Sequence, residues 1–261
     1  VKKLHSLIYY LIYRFKSTNE HGVHSPFVFE LLNQVIYNRT TYYAYEQIEA
    51  MRESLLKNNK ILNINDLGAG STKNNSLQKS IKTIAKQAAK PKKYGQLLFR
   101  LVNYFQAETI LELGTSLGIS TCYLASANSN AKVISIEGSS EIAETAKNNF
   151  KTLNINNIKH ITGNFDEQLP LLLNEQKTLD FVFFDGNHQK EATLNYFKQC
   201  LPLANDKSVF VFDDIYWSKG MTEAWAEIKQ HPRVSVTIDL FFIGIVFFRK
   251  EQAKQHFVIK F

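Results

Sequence analysis

Cysteine is nearly missing from this 261-residue sequence, which holds only Cys122 and Cys200, far apart. Two such residues supply neither a disulfide framework nor a zinc-ligand pattern. Both fall in apolar, helix-like surroundings, and we read them as buried free thiols in a reducing compartment. Long hydrophobic runs are missing too. The opening VKKLHSLIYYLIYRFKS is apolar without a break only from Leu7 to Tyr13, far short of the roughly 20 residues that span a bilayer. Lysines ahead of an apolar run have the look of a secretory leader, but no small-residue cleavage site follows. The expectation is no transmembrane segment, an amphipathic helix packed on its own domain, and a cytoplasmic protein. No internal repeat or low-complexity tract stands out.

Acidic residues are scarce in one part of the chain only. The net charge is +7, from 31 Lys and Arg against 24 Asp and Glu. Residues 1–108 hold 16 basic and 7 acidic side chains, or +9, which leaves 15 against 17, or −2, for the remainder. Such asymmetry fits an anionic partner: RNA, a phosphorylated substrate or a membrane surface. The plainer reading is a solvated basic helix face. A hydrophobic fraction of 44% with 21% charged residues is that of a soluble globular chain long enough for a sizeable core.

From Glu108 onward, short apolar segments alternate with helix-like ones. TILEL (109–113) precedes a helix near 117–128, and KVISIE (132–137) one near 140–152. IKHIT (158–162) follows. LDFVFFD (179–185) leads to a helix near 189–202, then SVFVFDD (208–214) to one near 219–230. Strands rich in β-branched residues between helices predict a parallel sheet covered on both faces. RVSVTIDLFF and GIVFFRK (233–250) lie too close together for a crossover helix and predict an antiparallel hairpin. The expected fold class is α/β. Its sheet is Rossmann-like, seven-stranded and mostly parallel, with a C-terminal antiparallel hairpin. Residues 1–92 form a mainly helical N-terminal cap, and 93–261 the core.

Two stretches compete as a cofactor loop, NINDLGAGS (63–71) and TILELGTSLGIST (109–121). In a doubly wound sheet the ligand sits at the carboxyl ends of the strands. A glycine turn lets backbone approach it, and an acid at the end of the second strand accepts from the ribose hydroxyls. Beyond Gly114, Glu137 stands 23 residues on, at the end of KVISIE and before Gly138. Beyond DLGAGS there is no acid between Asp66 and Glu108, and SLQKSIKTIAKQAAK reads as an amphipathic basic helix with Leu77, Ile81, Ile84 and Ala88 on one face. The second loop passes and the first fails; DLGAGS is taken as a turn between cap and core. The passing loop also lacks the third glycine of a dinucleotide fingerprint, which disfavours NAD and FAD. Its E-x-G-x-x-x-G pattern suits a ligand without phosphate, S-adenosylmethionine. Glu112 can face the ammonium of that ligand, and Thr115 and Ser116 its carboxylate, with Gly118 and Ser120 closing the turn.

With these residues in place, the chain resembles the class I S-adenosylmethionine-dependent methyltransferases. More narrowly, it resembles the catechol and caffeoyl-CoA O-methyltransferases and their sugar-modifying relatives, over roughly residues 93–250. Tyr94-Gly95-Gln96 matches the segment that opens the helix before the first strand, which the resemblance places by the methionine end of the cofactor. GNFDEQLP (163–170) matches the turn that edges the adenine, implicating Asn164 and Phe165; base stacking on Phe165 is our own inference.

Methyl transfer from a sulfonium is an in-line displacement by a deprotonated nucleophile. FFDGNHQKEA (183–192) and VFDDIYW (211–217) fall at the carboxyl ends of adjacent strands, so Asp185, Asp213 and Asp214 can converge. Oxygen ligands without cysteine suit Mg²⁺ or another divalent cation, which lowers the pKa of an acceptor hydroxyl. The resemblance supports this set with departures. Asp214 stands where catechol-type enzymes have Asn, and His188 where they have a lysine base. Asn187 replaces the Asp base of the sugar enzymes and cannot take a proton. His188, whose imidazole can accept a proton, is the better base, with Asp185 beside it on the catalytic or cofactor side. Another reading stays open: Asp213 or Asp214 satisfies backbone amides, Asp185 serves the cofactor without metal, and His188 caps its helix. The His21/His24 pair reads as packing, or as part of a lid over the acceptor. Tyr216 and Trp217 fit pocket wall and core equally.

The expected partners are a small-molecule acceptor and a possible second copy of the chain. An RNA methyltransferase using the basic first third ranks second, and a nucleotide-dependent oxidoreductase a distant third.

Overall fold

The structure is a computed structural model that describes residues 2–64, 77–88 and 91–261. In chain order its helices are α1 (Lys2–Lys16), α2 (Pro26–Leu31), α3 (Tyr43–Lys57), α4 (Ile81–Ala88), α5 (Lys92–Phe105), α6 (Ile119–Ala127), α7 (Ser140–Thr152), α8 (Phe165–Asn174), α9 (Lys190–Cys200) and α10 (Lys219–Gln230). The strands are β1 (Ile61–Ile64), β2 (Leu77–Ser80), β3 (Thr109–Leu113), β4 (Lys132–Glu137), β5 (Ile158–Thr162), β6 (Phe181–Phe184), β7 (Val209–Asp213), β8 (Val236–Asp239), β9 (Ile243–Phe247) and β10 (Gln255–Val258). These elements divide into two compact units, Arg39–Leu172 and Val1–Asn38 with Leu173–Phe261.

In the 39–172 unit, β3, β4 and β5 run parallel, with Leu111 opposite Ile134 and Ser135 opposite His160. Each is followed by a helix, and β3 and β4 are buried along nearly their whole length, as parallel strands between helices must be. One apolar core joins Tyr45, Ile48 and Leu55 of α3, Leu62 of β1, Ile81 and Ile84 of α4, Tyr123 of α6 and Phe150 of α7.

The sequence after DLGAGS departs from its expected single helix. Residues 77–80 pair antiparallel with β1, Ile64 opposite Leu77 and Ile61 opposite Ser80, and the helix begins only at Ile81. Ser80 explains the break: its hydroxyl accepts from the Thr83 amide at 3.2 Å, an N-cap that starts α4 there. DLGAGS itself lies outside the described residues.

In the other unit, β6 and β7 are parallel, while β7–β9 and β9–β8 are antiparallel. The hairpin expected over 233–250 is therefore present as β8–β9. The main sheet, apart from the β1–β2 pair, has eight strands rather than the expected seven. The addition is β10, which pairs parallel with β8, Gln255 opposite Val236; its short, half-exposed QHFV carries no apolar alternation to announce it. Phe181, Phe183, Phe210, Phe212, Phe247 and Trp225 are fully buried. Gly244 faces the Trp225 ring so closely that a Cβ would lie 2.7 Å from it. Cys122 and Cys200, one in each unit, are free and buried.

Helix α1 rests on this second unit by one face. His5 Nε2 is 3.0 Å from Thr222 Oγ1, Tyr9 stacks on Tyr216, and the Tyr13 hydroxyl donates to the Ile259 carbonyl at 2.7 Å.

Candidate functional site

The 114–118 turn is held by backbone. The amides of Gly114 and Thr115 both donate to the Ile136 carbonyl of β4, at 3.0 and 3.2 Å, and the Gly118 amide closes onto Thr115 at 2.8 Å. Gly114 and Gly118 have φ of 107° and 82°, and Ser116 joins them at 47°. Glycine adopts this left-handed region without cost. Gly118 has a second reason to be glycine, since a Cβ would come within 2.4 Å of the Phe150 ring. It begins α6 and presses that helix onto α7.

Glu112, two residues before the turn, is fully buried. Its Oε2 accepts from the hydroxyls of Ser135 at 2.6 Å and Thr121 at 2.5 Å, and Thr115 Oγ1 lies 2.5 Å from Ser135 Oγ. Its Oε1 is buried with no hydrogen-bond partner among the described residues. Burial pushes this carboxyl up to about 7, opposed by the Ser120, Ser135 and Thr121 hydroxyls and reinforced by the charge of Glu137. A buried carboxyl with a vacant acceptor is costly for a fold to keep. A ligand ammonium would satisfy it.

Glu137 ends β4, half-buried. Its Oε2 accepts from the Ser116 amide at 2.8 Å and its Oε1 from the Ser139 amide at 3.0 Å. The carboxylate therefore ties the turn to the start of α7. Gly138 stands between these partners. Asn164 caps α8, its Oδ1 accepting from the Asp166 amide at 3.0 Å, and Phe165 opens that helix half-buried. Tyr94 is buried in α5, and a Cβ on Gly95 would sit 2.5 Å from the Tyr123 ring. Gly95 thus serves close helix packing.

In the other unit, Asp185 follows β6, Asp213 ends β7, and His188 sits in the loop before α9. One ligand atom from each lies within 4.8 Å of the other two. His188 Nε2 is 3.8 Å from Asp185 Oδ1. Asp213 is almost wholly buried, while Asp185 and His188 are half-exposed. Asp214 is not part of this group; it takes a left-handed φ of 52°, and its carbonyl accepts from the Trp217 amide at 2.9 Å. Asn187 is also left-handed, with its amide donating to the Tyr196 hydroxyl at 3.1 Å. Two strained Asx residues beside one ligand group are the local outliers that functional loops tend to hold. His21 and His24 are exposed and join no such group among the described residues.

Asp239 is a residue that sequence reasoning missed. Its Oδ2 accepts from the Tyr216 hydroxyl at 2.5 Å and its Oδ1 from the Phe241 amide at 2.8 Å. Burial raises its carboxyl above the ordinary range, and Tyr216 is raised as well, first by burial and then by the Asp239 charge. Phe241, at φ 71°, stacks on Tyr216. Asp239 thereby fixes the loop after Asp213. An acid inside the apolar VTIDLFF was the available signal.

Comparison with known proteins bears on the fold and on residues 111–215. Residues 111–215 match the family model described as a methyltransferase domain. A catechol O-methyltransferase of Mycobacterium tuberculosis is 30% identical over 129 residues, which cover 49% of this chain and 57% of that protein. Another catechol O-methyltransferase, from Niastella koreensis, is 32% identical over 124 residues, covering 46% and 55%. The chain thus spans little more than half the length of the curated relatives it matches. Among solved structures, an O-methyltransferase from Bacillus cereus in complex with S-adenosylhomocysteine superposes with a TM-score of 0.55 at 22% identity, covering 80% of this chain and 92% of that one. Residues 111–215 of this chain are thus similar in sequence to a methyltransferase domain, and the chain shares the fold of the Bacillus cereus O-methyltransferase.

Proposed function

We propose that the protein is an S-adenosylmethionine-dependent O-methyltransferase acting on the hydroxyl of a small molecule. The observation that carries the reading is the buried Glu112 carboxyl at the head of the 114–118 turn, with one oxygen unpartnered among the described residues. Its chemistry matches the amino group of a methionine tail. Glu137, Gly138, Asn164 and Phe165 are assigned to the adenosyl end, and Tyr94, Gly95, Thr115, Ser116, Gly118 and Ser120 to the methionine end. The bound cofactor supplies an electrophilic methyl group on a sulfonium.

The chain's own residues then have two tasks. One is to hold the acceptor oxygen in line, which removes much of the entropic barrier. The other is to take its proton. His188 would take the hydroxyl proton of the acceptor, and the Asp185 carboxylate, 3.8 Å from its Nε2, would stabilise the imidazolium. A second reading rests on the 4.8 Å grouping of Asp185, His188 and Asp213: these three would hold a divalent cation that lowers the acceptor's pKa. Two carboxylates with an imidazole fit a first-row ion such as Mn²⁺ better than Mg²⁺, whose sites favour oxygen.

Thermal unfolding with ligands tests the cofactor assignment. S-adenosylhomocysteine is expected to raise Tm and NAD to leave it unchanged, and Glu137→Ala to weaken the first effect. Equal protection by NAD, or none by S-adenosylhomocysteine, overturns it. For the ion, Mn²⁺ binding followed by electron paramagnetic resonance should be lost in Asp213→Ala. Retention in that variant, or no binding by the parent, leaves His188 as a metal-free base.

A further inference from the structure

We propose that the outward face of α1 is a docking surface for an anionic lipid–water interface. Residues His5, Tyr9 and Tyr13, spaced four apart, form the face that α1 turns to its own unit, with Tyr10 at its edge. Leu4, Leu7, Ile8, Leu11, Ile12 and Phe15 do not share that fate. Phe15 is 93% exposed, Leu4 63% and Leu11 61%. At 3.6 residues per turn these six side chains cover a continuous arc of about 140°. A face of that width and apolarity left in water marks an interaction surface.

Charge identifies the occupant. Lys2, Lys3, Arg14 and Lys16 belong to this helix, and no acidic residue precedes Glu20. Two copies pairing through α1 would bring eight cations together with no anion from either helix, in any orientation, and like charges at close range repel. A leaflet bearing anionic headgroups supplies the missing negative charge, and its acyl boundary takes the apolar arc. No helix among the described residues is long and apolar enough to cross a membrane. Helix α1 would lie along the interface by its apolar arc. Aromatic residues extend the surface at the flank. Exposed Tyr10 meets Phe241 edge-on, and Phe242 beside it is also exposed; aromatic side chains favour the headgroup boundary. Tyr9 stacks on Tyr216, three residues beyond Asp213, so the docking helix buttresses that loop. The inference stands independently of the proposed methyl transfer.

Vesicle flotation of the full chain tests it, using phosphatidylcholine alone and phosphatidylcholine mixed with phosphatidylserine. The protein should float with the mixed vesicles, less so as salt rises, and hardly with the neutral ones. The double variant Leu11→Asp/Phe15→Asp alters only exposed side chains. It should keep its circular dichroism and Tm while raising the lipid needed for half-binding by at least about tenfold. Leu171→Asp, equally exposed at 64% but in the other unit, should leave binding unchanged. Absence of flotation by the parent, or equal binding by the double variant, overturns the proposal. So does a lipid-free dimer in analytical ultracentrifugation that the double variant dissociates, since a second copy would then own the face.

Discussion

Replacing Glu112 by glutamine should make the protein more stable and a poorer binder at once. Burial lifts this carboxyl from 4.5 to about 7, so the native chain holds the proton more tightly than the unfolded one. Where the native state binds more protons, stability falls as pH rises. Below pH 4.5 both states are protonated and there is no effect. Between 4.5 and 7 the loss accumulates, and above 7 it is complete at about 3 kcal/mol, since a tenfold change in proton affinity is worth about 1.4 kcal/mol. Glutamine keeps the shape and can still meet the Ser135 and Thr121 hydroxyls without carrying charge. Urea denaturation should therefore find Glu112→Gln within about 1 kcal/mol of the parent at pH 5 and more stable by about 3 kcal/mol at pH 8. Calorimetry at pH 8 should find S-adenosylhomocysteine held roughly 10- to 100-fold more weakly, the value of one charge-assisted hydrogen bond. A variant less stable than the parent at both pH values would show that Glu112 is a structural acceptor only. Unchanged affinity would remove it from the ligand site.

Other substitutions probe the surroundings of each site. Gly118→Ala places a methyl group 2.4 Å from the Phe150 ring at a φ of 82°, and should cost at least about 2 kcal/mol of stability by denaturant titration. Adding Phe150→Ala should relieve the clash and leave only the backbone strain, so the two effects should fall short of additivity. Tyr216→Phe removes one of the two hydrogen bonds that the structure gives the buried Asp239 carboxyl and should cost about 1–3 kcal/mol. Because that carboxyl is already raised, losing a donor raises it further. The deficit should be largest at neutral pH and shrink in acid; a pH-independent deficit would mean that lost packing explains it.

Much of the strand–helix order was legible because it is local. TILEL, KVISIE and IKHIT read as strands and emerge with the same bounds, and the helix near 219–230 likewise. Their apolar periodicity and β-branched content act within a few residues, and so do the turn signals between RVSVTIDLFF and GIVFFRK. Spacing ranks the 114–118 turn above DLGAGS, since one acid stands at the end of the next strand and no such acid follows the other; DLGAGS lies outside the described residues.

The chemistry of the sites was decided at longer range. Glu112 meets Thr121 and Ser135, 9 and 23 residues away, and only the parallel register of β3 and β4 makes one buried network of them. Glu137, read from spacing as a ribose acceptor, also ties the Ser116 amide of the turn to the Ser139 amide before α7, a role that depends on the fold bringing the turn to the end of β4. His188 joins Asp185 and Asp213 while Asp214 does not, a choice made by backbone dihedrals that no composition records. For α1 the sequence fixes an apolar helix with two usable faces; which face meets the protein depends on where Thr222, Tyr216 and Ile259 stand, and that follows from the chain closing on itself across more than two hundred residues.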